Sequence, residues 1–182
     1  MQIVFRQITI KLLLTLALVA LAPGLVVAQG IQPFVGTYVG SADLTLDGET
    51  KSRDMSVTIA ETRKGYSVEW TSTTFKSDGR TKTKAYEVGF VPSQRDNIYA
   101  SAMKTNVFGK AVPLDPLQGE PFVWGRIEGD TFTVFSLFIN EAGEYEMQEY
   151  HRTLVEGGLN LEFLRVRNGV AEKGVTAFLK KQ

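Results

Sequence analysis

From Phe34 to the C-terminus the apolar residues of this chain recur at every second position, and turn residues break the pattern at short intervals. Side chains alternate between the two faces of a strand, so this period points to antiparallel β-structure. No window after residue 28 carries a helical stripe. Gly36, Tyr38, Gly40, Ala42, Leu44 and Leu46 share one face, opposite Thr37, Ser41, Asp43 and Thr45, and the small residues allow strong bending. Met55, Val57 and Ile59 follow. Arg63-Lys64-Gly65 then turns into Tyr66, Val68 and Trp70, and Ser77-Asp78-Gly79 into Lys82, Lys84, Tyr86, Val88 and Phe90. Further turns are expected at Gly129-Asp130, Glu141-Ala142-Gly143, Gly157-Gly158 and Asn168-Gly169, the last being the strongest hairpin signal. Strands are predicted to start near Phe34, Asp54, Tyr66, Thr81, Ile98, Phe122, Thr131, Glu144, Leu159 and Glu172.

Consecutive hairpins predict an all-β fold, a single antiparallel up-and-down β-barrel of about 8–10 strands, which removes the edges an open sheet would expose. The alternative is a β-sandwich, which needs a long crossover. Only the segment from Asn106 to Pro121, with Gly109, Pro113, Pro116 and Gly119, is long enough to supply one, and loops of that length are more often functional than short ones.

Residues 1–28 are of another kind. Arg6 and Lys11 precede the apolar run Leu12 to Ala22, Pro23-Gly24 breaks it, and Val26 and Ala28 stand at −3 and −1 before Gln29. That order predicts a secretory signal peptide over 1–28 and a barrel domain over 29–182, in preference to a retained membrane anchor. Removing 28 of 182 residues leaves 154, enough for a sizeable core. The leader takes two of the 20 basic residues, so the remainder is slightly acidic. There is no cysteine and no Asn-x-Ser/Thr acceptor. An exported protein held without disulfides suits a bacterial periplasm or secreted fraction, with membrane contact only during export.

The balanced charge excludes a nucleic-acid partner, and a chain with one histidine and no cysteine has no His/Cys metal centre. Carboxylates and tyrosines are plentiful, but no spacing singles out a catalytic pair, so a non-catalytic role is expected.

Gly36-Thr37-Tyr38, at the start of a meander of hairpins, resembles the Gly-x-Trp opening of lipocalins and other calycin-type barrels, with Tyr where Trp is usual. The Thr-Asp-Tyr motif of that family is not found, and its closing Arg has loose counterparts in Arg152, Arg165 or Arg167. The resemblance implies a barrel that holds a small apolar or amphipathic molecule, such as a lipid or pigment. Candidate ligand-binding residues are Tyr38, Trp70, Tyr86, Trp124, Arg126, Phe138 and Tyr145. Arg126 beside Trp124 would make an anion-plus-aromatic site if both faced inward; otherwise the Arg sits at the mouth with its head in water. His151, the only histidine, could serve as a lone haem ligand, as in barrels of the nitrobindin kind, against the simpler reading of a histidine on a polar strand face.

The strand from Thr131 to Asn140 is apolar on both faces, so its outer side needs a cover, expected to be the Pro-rich loop or the N-terminal segment in preference to a partner. Slips in apolar phase predict bulges near Gln148-Glu149 and between Phe163 and Leu164. A basic cluster, Lys76, Arg80, Lys82 and Lys84, and an acidic one, Glu141, Glu144, Glu146 and Glu149, read as solvated hairpin ends, with anionic lipid an alternative partner for the first. The competing functions are an interaction or inhibitor module acting through the 106–121 loop and hairpin tips, and a small outer-membrane barrel. The chain ends on Lys180-Lys181-Gln182, without the terminal aromatic expected of the latter.

Overall fold

The computed structural model describes residues 30–46, 49–76, 78–101, 103–105, 111–112 and 114–182; the leader lies outside this set. The period-two runs form β1 (Gly36–Leu46), β2 (Glu49–Thr62), β3 (Gly65–Phe75), β4 (Thr81–Pro92) and β5 (Ile98–Ser101). After the short strands β6 (Lys104–Thr105) and β7 (Ala111–Val112) come β8 (Phe122–Glu128), β9 (Thr131–Ile139), β10 (Tyr145–Val155), β11 (Gly158–Arg167) and β12 (Val170–Lys181). Ten of them close into one antiparallel barrel, in the order β1-β12-β11-β10-β9-β8-β5-β4-β3-β2, while β6 and β7 pair only with each other. Neighbours in the barrel are neighbours along the chain apart from the β6-β7 excursion and the closing seam, so the described strands form a barrel and not a sandwich.

Three local expectations need correction. Phe34 does not begin a strand; it ends a 3-10 turn, Gln32–Phe34, whose Pro33 suits a first-turn position. β2 begins well before Asp54, because polar Thr50, Lys51, Ser52 and Arg53 pair in register with β1 out to Leu46↔Glu49. The segment from Asn106 to Pro121 is no plain loop: Ala111 and Val112 form β7, and Pro116–Gln118 form a 3-10 turn that lies against β9. Residues 106–110 and 113 fall outside the description.

The two expected bulges part company. β10 pairs without interruption with both β9 and β11, so there is none at Gln148-Glu149. Its phase slips because the residues facing the interior change from apolar to polar along the strand, a point that bears on the site below. The slip beside Phe163 does mark a bulge, where Phe163↔Val175 gives way to Arg165↔Glu172. The extra residue lies in β12, at Lys173-Gly174. A Cβ on Gly174 would come within 2.8 Å of the Phe163 carbonyl oxygen, closer than side chains tolerate.

One half of the barrel is filled. Tyr38, Ile59, Tyr66, Val68, Phe90, Phe132, Leu159 and Leu179 are all but inaccessible, and Phe34 packs beneath them, edge-on to Phe132 at 5.9 Å. Tyr66 stacks on Phe90 at 5.0 Å and meets Phe132 edge-on at 5.5 Å. Gly125 leaves the space these rings need, since a Cβ there would lie 2.7 Å from the Tyr66 hydroxyl. The Tyr38 hydroxyl donates to the Phe34 carbonyl at 2.9 Å and ties the plug to the wall. Each such ring or branched side chain contributes about 1.5–3 kcal/mol by leaving water.

The other half is wider. Four-residue β5 pairs with β4 only at Phe90–Pro92 and with β8 only at Ile98–Ala100. Toward the open end the described strands form no ladder between β4 and β8. Tyr86 and Phe138, both on the inner face, are consequently 45% and 36% exposed.

Candidate functional site

Strands β2, β3, β4, β10, β11 and β12 send alternate residues into a cavity of about 140 Å³ above the filled core. A second compartment of about 270 Å³, toward β8 and β9, shares Trp70, Tyr86, Gln148 and Tyr150 with the first. Each is of the size that holds a benzene-like group. Ten strands leave this room where eight are commonly filled by side chains.

The walls are aromatic. Trp70 stacks on Tyr86 at 5.3 Å and meets Tyr150 at 5.6 Å, and Tyr150 meets Phe163 at 4.8 Å. Met55, Val57, Leu161 and Val175 fill the gaps between these rings. Burial pushes the Tyr150 phenol above its ordinary pKa, so it stays neutral; its hydroxyl donates to Gln148 Oε1 at 2.9 Å.

The charges along these walls have one sign. Arg53, Lys84, Arg152 and Arg165 line the first cavity, and no acid does among the described residues. Arg165 is compensated from just outside, its Nε lying 3.4 Å from Glu146 and its Nη1 3.2 Å from Glu172. Arg53 donates from Nε to Thr74 Oγ1 at 3.1 Å, and desolvation together with the like charge of Arg165 lowers its pKa. Lys76, Lys82 and Lys84 extend the positive surface at the mouth, with Asp78 as the acid among them.

Arg152 is different from the rest. It is 2% exposed and is held between Trp70, Phe132 and Tyr150, its guanidinium carbon lying 5.9, 5.8 and 5.6 Å from their ring centres. A guanidinium offers five N–H donors. Here one reaches the Tyr150 carbonyl at 3.3 Å, while Nε is buried without a partner. Among the described residues no carboxylate pairs with it. Desolvation pushes its pKa down to about 10, against the smaller opposing influence of Tyr150 and Tyr66. The Tyr66 hydroxyl, close enough to couple with it, is likewise buried without a partner. Burying a cation without a counter-charge costs several kcal/mol; three ring contacts of about 0.5–2 kcal/mol each offset a comparable amount but leave the Nε donor unpartnered.

The structure distributes the sequence-derived candidates as follows. Trp70 and Tyr86 lie in the wall of both compartments, and Phe138 lines the second. Tyr38 belongs to the filled half. Tyr145 is at the exposed rim with Phe138 and Glu146. Trp124 and Arg126 are on the outer face of β8, opposite the core residues Val123 and Ile127. There Trp124 stacks on Phe135 at 4.9 Å, and Arg126 pairs with Glu128. The cation over Tyr38 is Lys181, at 5.6 Å, and not Arg152, Arg165 or Arg167. His151 also faces outward, with Nδ1 2.9 Å from Thr133 Oγ1 and Nε2 3.0 Å from Glu149. Its ring is thus turned away from a haem in the interior. No cluster of three His, Cys, Asp or Glu side chains suited to a metal occurs among the described residues.

Arg53, Gln148, Tyr150, Arg152, Phe163 and Arg165 were missed as wall residues. The available signal was the even-numbered series of β10, Glu146, Gln148, Tyr150, Arg152 and Leu154, which a continuous strand places on one face.

No protein-family model matches this sequence, and no curated protein compared with it is similar.

Proposed function

We propose that this chain is an exported, non-catalytic binding protein that holds a small amphipathic molecule in the wide half of a calycin-like barrel. The observation that carries this reading is the division of the interior. One half is packed to completion, and the other keeps a cavity with aromatic walls whose charged lining residues are cations, Glu146 and Glu172 reaching only Arg165 at its edge. A barrel shaped only for stability would fill both halves. Apolar walls with a few placed polar groups are the usual chemistry of a small-molecule site. The leader pattern of residues 1–28 and the absence of cysteine support export. The outer faces of β2, β3 and β4 carry exposed Asp54, Glu69 and Glu87, a surface that suits water and not a lipid-facing band.

Native mass spectrometry of protein purified from its own host tests the proposal. A releasable small-molecule adduct is expected. Protein that carries no adduct and also fails to bind dodecanoate or an anilinonaphthalene dye would overturn it.

A further inference from the structure

We infer that Arg152 is the seat for an acidic group, so that the ligand is a compact monoanion, a carboxylate, bound acid-first with its apolar tail running outward past Trp70 and Tyr150. The inference rests on the binding role proposed above and adds the ligand's chemical class and direction. Arg152 is 98% hidden from solvent, yet it lines the cavity, and among the described residues no acid lines that cavity with it. Its Nε has no acceptor, and its Nη1 makes only a long 3.3 Å contact to the Tyr150 carbonyl of its own strand. A carboxylate meets two N–H groups of a guanidinium at once, and in a dry site that pairing is at its strongest. Arg152 offers a single positive charge at this depth, which suits a monoanion better than a phosphate. The cations nearer the mouth are placed differently. Arg165 is already bridged by Glu146 and Glu172, and Lys84 is exposed to screening water. Their positive field draws an acid toward the opening, and Arg152 holds it.

Calorimetric titration with dodecanoate, its methyl ester and dodecyltrimethylammonium tests this in the wild-type protein and in Arg152→Met, Arg152→Lys and Arg53→Gln variants. Dodecanoate is expected to bind at least tenfold more tightly than the ester, with the quaternary amine weakest. Arg152→Met is expected to abolish the preference for the acid, Arg152→Lys to keep part of it, and Arg53→Gln to reduce it by less than Arg152→Met does. A second readout needs no variant: the carboxyl carbon-13 shift of bound labelled dodecanoate stays at its ionised value as pH falls to about 4, where a free carboxyl is already titrating. Equal binding of acid and ester overturns the Arg152 seat and leaves the binding role standing. A preference that survives Arg152→Met but is lost in Arg53→Gln overturns it as well, placing the acid at the mouth. Binding of none of the three probes overturns both readings.

Discussion

The Lys181 ammonium stands 5.6 Å from the centre of the Tyr38 ring, and the same two residues face each other across the seam where the last strand meets the first. Tyr38 is wholly buried and anchors the Phe34 plug, whereas Lys181 is exposed. The two sides of the contact therefore differ in weight. Lys181→Met should cost about 0.5–1 kcal/mol in urea unfolding. Tyr38→Ala should cost about 3–5 kcal/mol, as large aromatic deletions in a core do. Equal costs would show that the seam is not organised around the ring.

The filled half should respond to volume in both directions. Phe132→Ala removes a ring that touches Phe34, Tyr66, Phe90 and Arg152, and is expected to cost about 3–5 kcal/mol. Gly125→Ala drives a methyl group toward the Tyr66 hydroxyl and Phe132, and is expected to cost about 1–3 kcal/mol. A neutral Gly125→Ala in chemical denaturation would mean that this end is looser than its packing indicates.

The barrel itself was legible in the sequence because its signals are local. Alternation in Tyr66, Val68 and Trp70, and turns such as Asn168-Gly169, operate within a few residues of each other. The site was less legible. Tyr150 and Arg152 read as a polar stretch around His151, and only the register of β9, β10 and β11 puts Arg152 beside Phe132 and Leu161. The apparent phase slip in β10 came from the same source. An interior that turns polar at Gln148 and Glu146 looks, along one strand, like a bulge. Trp70 and Trp124 are equivalent in the sequence pattern, yet one faces inward and the other outward, because the wall position of each depends on its partners.

Arg152 should be costly to the empty protein. Arg152→Met replaces an uncompensated buried cation with an apolar chain of similar length, and is expected to raise stability by about 1–4 kcal/mol. The thermal midpoint of ligand-free protein reads this directly. A clear loss of stability would identify the arginine as a structural strut.

Glu146 should make the mouth sensitive to acid. Burial pushes its carboxyl up, but bonds from Arg167 and Gln148 and the charges of Arg165 and Arg167 outweigh that, and its pKa ends below the ordinary 4.5. A depressed carboxylate contributes stability that is complete above its unfolded pKa and is lost as pH falls through the folded one. Wild-type stability should therefore decline below about pH 4.5, and Glu146→Gln should be less stable near neutrality but show a shallower decline. Parallel pH profiles for the two proteins would remove Glu146 as the cause.

The placement of the two tryptophans allows the central claim, an interior ligand site, to be read optically. Trp70 lines the cavity, and Trp124 lies on the outer wall against Phe135. The decisive measurement is fluorescence quenching by bromododecanoate in Trp124→Phe and Trp70→Phe proteins. Saturable quenching of Trp70 at one equivalent, with Trp124 nearly unaffected, is the predicted result. Quenching of Trp124 alone, or of neither, would contradict an interior site.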